Sequence, residues 1–247
     1  MRKTVLFVLL VVHAALGAAA QPAVSVRYSA VLDSTCAFLR GESLKPEWQR
    51  ELENREGEFV TAWNAIGPPM IQATEEITGK PFPGEQIAAR LLLCSLPSQS
   101  ILGVTINMRY ALRSFTPTPV PMRYKVDTLF HELLHRFLDA YPIEDSPLLR
   151  AHASESRCTR NHLHLLALQK AVMLKLHAEP ALHDVITIDS QLPGDCYRKA
   201  WQIVNASDPA YLEYVAEIRG RLVPGLLIEP SGPGLLHFAC CSPCRGC

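Results

Sequence analysis

Two histidines and a glutamate carry the first chemical signal in this 247-residue chain: His131, Glu132 and His135. Histidines four apart on an α-helix stand one turn above each other, and two neutral imidazoles so placed can grip one divalent ion. Zinc takes imidazole nitrogen at about 2.0–2.1 Å in a tetrahedral shell, which calls for a further protein ligand and leaves a place for water. A carboxylate beside the first histidine is then positioned to take that water's proton rather than to bind the ion. Metal binding draws the water's pKa toward about 7, so a carboxylate can complete its activation at neutral pH. The product is hydroxide aimed at a carbonyl.

The flanking residues favour the helix this chemistry needs. Val126, Leu129, Phe130, Leu133, Leu134, Phe137 and Leu138 recur at the three-and-four spacing of a helix with one buried face. Tyr141-Pro142 disfavours continuation past Ala140. Asp139 falls one turn beyond His135, where it can accept a hydrogen bond from the ring's non-ligating nitrogen. The missing ligand must come from a second element, and segment 160–177 is the best source. Leu163, Leu165, Leu166, Leu168, Val172, Leu174 and Leu176 point almost all round it, so it is buried on several sides and its polar residues need partners. His162 and His164 are two apart and diverge by about 200°, so one helix rarely delivers both to one ion. The net apolar direction lies slightly closer to His162, the preferred third ligand, with His164 next.

His-Glu-x-x-His on a helix resembles the active-site helix of the zincin metallopeptidases. The resemblance implies Zn2+ on His131 and His135, Glu132 as general base and hydrolysis of a peptide or protein substrate. It also implies an α+β, zincin-like fold, with a small sheet packed on the active-site helix and a helical C-terminal part. The pattern is closest to the gluzincin-like branch, in which a ligand Glu follows the second His by about twenty residues. By that resemblance Glu155 is a further alternative for the third ligand. Ser154-Glu155-Ser156 lacks the Asn-Glu pair often seen there, whereas Asn161-His162 resembles that pair with His in place of Glu. The longer metzincin pattern is absent, because Leu138 stands where its Gly would be and Tyr141 where its His would be. Zincins also hold extended substrate on an edge strand by main-chain pairing, and segment 101–108 is the corresponding candidate. A donor for the oxyanion often comes from a later Tyr or His, which makes Tyr197 a catalytic candidate and Tyr211 a second.

Several further elements must position these residues. Segment 24–31 alternates like a half-buried strand. Segment 46–63 has helical spacing with Pro46 in the first turn, and Gly67-Pro68-Pro69 is expected to end it before a second helix over 70–78. Segments 87–96 and 101–108 are short strand-like runs that can form a hairpin or adjacent strands. The proline-rich 115–121 is a connector, Asp145-Ser146-Pro147 opens another helical piece, a helix begins after Pro193-Gly194-Asp195, and 211–219 closes the fold.

Composition narrows the class. Twenty-four basic and 24 acidic residues give no net charge and no single-sign run, so no nucleic-acid partner is expected. With 48% hydrophobic residues, a sizeable core is within reach. Arg2 and Lys3, an apolar stretch over 5–16 and Ala18-Ala19-Ala20 read as a signal peptide over 1–20, and no second stretch is long enough to cross a bilayer. The mature protein is expected to be secreted or periplasmic, without stable membrane insertion. Export makes disulfides the expectation for the eight cysteines. Cys36, Cys94, Cys158 and Cys196 allow three pairings, of which Cys36 with Cys94 and Cys158 with Cys196 would staple neighbouring segments. A zincin-like domain over 21–223 is thus expected, followed over 224–247 by a linker and a cysteine-rich tail carrying Cys240, Cys241, Cys244 and Cys247. The alternative is a catalytically inactive zinc-binding scaffold on the same fold.

Overall fold

Leu163, Leu165, Leu166, Ala167, Leu168 and Val172 are shut off from solvent all round one helix, and the other helices pack about it. The computed structural model describes residues 21–101 and 103–220. The expected signal peptide, the 224–247 linker and its four cysteines lie outside the described residues. In chain order the elements are β1 (Ala23–Tyr28), α1 (Ala30–Arg40), α2 (Pro46–Thr78), β2 (Gln86–Leu92), β3 (Val104–Asn107), α3 (Met122–Ala140), α4 (Pro147–Ala151), α5 (Arg157–Lys175), α6 (Glu179–Asp189), α7 (Cys196–Val204) and α8 (Ala210–Ile218). The result is a mixed, mostly helical α/β architecture. The all-round apolar helix of the sequence is α5, which contacts α2, α3, α6, α7 and α8.

The sheet is small and wholly parallel, in the order β1-β2-β3, with Ala23 opposite Gln86 and Ala89 opposite Val104. A hairpin between β2 and β3 is therefore excluded, and residues 93–103 make the crossover that parallel pairing requires. β3 packs on α3, and α3 in turn packs on α2 and α5, so the sheet, the motif helix and the central helix form one stack.

Two expectations fail for local reasons. α2 does not stop at Gly67-Pro68-Pro69 but runs through it. The carbonyls that the two prolines cannot satisfy belong to Asn64 and Ala65, which face solvent along with the prolines themselves, so water can take the place of the missing N–H donors. Gly67 lies on the buried face because Trp63 occupies the space of its missing side chain; a Cβ there would sit 2.4 Å from the indole. The segment after β1 was expected only as the end of a strand, yet it turns at once into α1. Ser29 caps that helix by accepting from Leu32 N–H, and Gly41 ends it in the left-handed conformation at φ 65°.

The described cysteines pair as Cys36–Cys94, tying α1 to the end of β2, and Cys158–Cys196, tying α5 to α7. Among the described residues no helix is long and apolar enough to cross a membrane.

Candidate metal centre

α3 buries Val126, Leu129, Phe130, Leu133, Leu134 and Phe137 completely, which fixes its rotation. Its two histidines then face α5. There His162 meets them, and the three rings form a nearly equilateral triangle. Ring centroids are 5.0 Å apart for His131 and His135, 5.2 Å for His135 and His162, and 5.4 Å for His131 and His162. One nitrogen from each ring lies within 4.8 Å of the others. A tetrahedral ion holding nitrogen at about 2.0–2.1 Å, with about 1.1 Å more to each ring centre, places centroids about 5.2 Å apart. The observed triangle fits that figure.

Hydrogen bonds decide which nitrogens face inward. His131 Nδ1–H donates to Gln169 Oε1 at 3.2 Å, because an amide oxygen can only accept. That leaves His131 Nε2 as a bare lone pair, and it is fully buried without any partner among the described residues. Buried polar atoms are rarely left so, and an ion is the ligand an imidazole lone pair would take. His162 Nδ1–H donates to the Cys158 carbonyl at 2.8 Å, which likewise leaves its Nε2 bare. No described hydrogen bond joins Asp139 to His135.

Burial holds all three rings in the neutral, ligating form. His131 is pushed well below the ordinary histidine range by desolvation and then by the neighbouring His135 and His162. His135 is pushed down to about 3 by desolvation and by His162. His162 is lowered by desolvation against the opposing pull of the Cys158 carbonyl. Glu132 is 5% exposed and burial raises it to about 8.

The other sequence candidates sort by position. Tyr197 comes to the cluster, its ring 4.5 Å from His162 and 5.7 Å from His131. His164 does not: its Nε2 lies 2.8 Å from Glu217 Oε2 in a buried pair, which meets the need for a partner that made it a candidate. Glu155 is paired with Lys199 at 3.3 Å and is not among the grouped ligands. Tyr211 lies under the Lys170 ammonium instead. The edge-strand candidate does end the sheet, as β3, but its outer side is not free. Thr105 N–H and C=O are bonded to Gln99, and Asn107 N–H to Ser98 Oγ, so the outer edge of β3 is already covered by its own chain.

Gln169 was missed, although its spacing gave a signal: it follows His162 by two helical turns, which puts it on the same face of α5. No protein-family model, curated protein or solved structure matches the chain.

Proposed function

We propose that this chain is an exported, zinc-dependent metallopeptidase of zincin type, with His131, His135 and His162 as metal ligands and Glu132 as general base. The observation that carries the reading is the buried, unpartnered Nε2 of His131 inside a ring triangle of tetrahedral dimensions. A zinc ion supplies Lewis acidity and an acidified water at such a site. The chain's own residues do the rest. Gln169 and the Cys158 carbonyl fix two imidazole tautomers, Glu132, beside His131, would take the proton of the attacking water, and the Tyr197 hydroxyl is the candidate donor to the oxyanion. The two disulfides are compatible with an oxidising, extracellular setting.

A second reading, a zinc-holding scaffold without turnover, is favoured by one observation: the covered edge of β3 offers an extended peptide no free N–H at Thr105 or Asn107. Metal analysis of the untagged protein and cleavage of peptide libraries separate the two. Zinc should be present at one equivalent, and Glu132→Gln should keep it while losing at least about a hundredfold in cleavage rate. Peptide cleavage that Glu132→Gln leaves intact removes the hydrolase mechanism. Zinc without any cleavage leaves the scaffold.

A further inference from the structure

His162 has a second chemically capable neighbourhood on the side of its ring turned away from the other two histidines. Cys158 stands one turn before it on α5 and Cys196 opens α7, and their disulfide lies against the ring. His162 Nδ1 is 3.9 Å from Cys158 Sγ and 3.7 Å from Cys196 Sγ. The same nitrogen is bonded to the Cys158 carbonyl, and Tyr197 follows Cys196 directly. One covalent bond thus ties down both the ring and its tyrosine neighbour. The two disulfides also differ in access. Cys158 and Cys196 are both partly exposed, whereas Cys94 of the other pair is sealed at 0%.

A tetrahedral ion holding sulfur at about 2.3 Å and nitrogen at about 2.0–2.1 Å sets nitrogen and sulfur about 3.6 Å apart. The two nitrogen–sulfur separations are already close to that value. Only the sulfurs must part, to about 3.8 Å, for Cys158, Cys196 and His162 to become a Cys2His set.

We infer that the Cys158–Cys196 disulfide is a redox latch on the three-histidine centre: closed, it holds His162 toward His131 and His135; reduced, its two sulfurs and His162 Nδ1 become a second cation site that withdraws His162 from the first. The inference rests on the metal-centre reading above. Nδ1 cannot serve an ion while it carries the hydrogen given to the Cys158 carbonyl, so capture gives up that bond and moves the proton, through solvent, to Nε2, which takes the Nε2 lone pair from the first site. Reduction by a trialkylphosphine balances with one water: the sulfur–sulfur bond breaks, phosphorus is oxidised and takes the oxygen, and the two hydrogens end on the two thiols. Both protons leave when the ion binds. An oxidising compartment keeps the latch closed, and a reducing one leaves it open and the centre incomplete.

The test is titration of the full chain with cobalt(II) alone, before and after phosphine treatment and removal. Oxidised protein should bind cobalt with a nitrogen- and oxygen-ligand spectrum. Reduction should add thiolate-to-cobalt charge-transfer absorption and weaken the original site at least about tenfold. Other cysteines bring their own thiolates, so the added band is read against Cys158→Ser/Cys196→Ser, which must lack it. A second readout needs no variant: in the reduced unaltered chain, cobalt should protect Cys158 and Cys196 from alkylation mapped on peptides. If oxidised protein binds cobalt but reduction leaves that site unchanged and those two thiols unprotected, the latch is overturned and the centre stands. If oxidised protein takes up no cobalt, centre and latch fall together.

Discussion

At the scale of single residues, orientation is what makes three histidines a group that could hold a metal ion. Gln169 acts only through His131, by holding the proton on Nδ1 so that Nε2 faces inward. Gln169→Leu should therefore weaken zinc binding by about 10- to 100-fold in a chelator competition. An unchanged affinity would show that packing alone orients the ring. Asp189 illustrates a buried carboxylate outside the centre: it accepts from the Tyr124 hydroxyl at 2.8 Å and from Trp201 Nε1 at 2.9 Å. Burial nevertheless raises it from 3.8 to about 6. A raised carboxyl favours the protonated folded state, so its contribution to stability is full below about pH 3.8 and is lost as pH rises through about 6. The loss is about 3 kcal/mol on the free-energy scale of a pKa shift. Asp189→Asn cannot ionise, so denaturant titrations between pH 4 and pH 6.5 should show its stability, relative to the parent's, improving by about that amount.

At the scale of elements, what could be read in advance was whatever is periodic along the chain. α3 and α5 announced themselves through apolar spacing, and the His-Glu-x-x-His residues came with α3. The choice between His162 and His164 could not be made the same way, because α5 is apolar all round and His164's partner, Glu217, lies 53 residues away in sequence. α1 was hidden behind a strand-like start. α2 was misread because Pro68 and Pro69 look like an end, although the buried positions Leu52, Phe59, Trp63, Gly67, Met70, Ile71 and Thr74 keep one face across them. This sets a contrast that urea unfolding can check. Gly67→Ala gains helix propensity of about 1 kcal/mol but drives a methyl into Trp63, so a net loss of about 1–2 kcal/mol is expected. Pro69→Ala, on the exposed face, should be neutral or stabilising. A stabilised Gly67→Ala protein would mean that the indole moves aside freely.

At the scale of the whole molecule, the centre joins two helices that otherwise meet through apolar packing, and the parallel sheet lies behind one of them. An ion that binds only the folded chain stabilises all of it, by about 4 kcal/mol at a thousandfold excess over its dissociation constant. Thermal unfolding should accordingly shift upward with added zinc in the parent protein, and stay put in His162→Ala. Equal shifts in both would locate the ion elsewhere. Strand direction, β3's covered edge and the Glu217 pair could not be read along the chain, because all three depend on contacts between distant segments.

The order in which the pieces of the centre occur along the chain has a further consequence. His131 and His135 are made early, His162 later, and Cys196 and Tyr197 last, close to the end of the described fold. During synthesis the two early imidazoles emerge with neither their third partner nor the bond that steadies it. A nascent chain that has passed α5 but not yet reached α7 therefore carries all three histidines without the covalent tie that steadies the last of them.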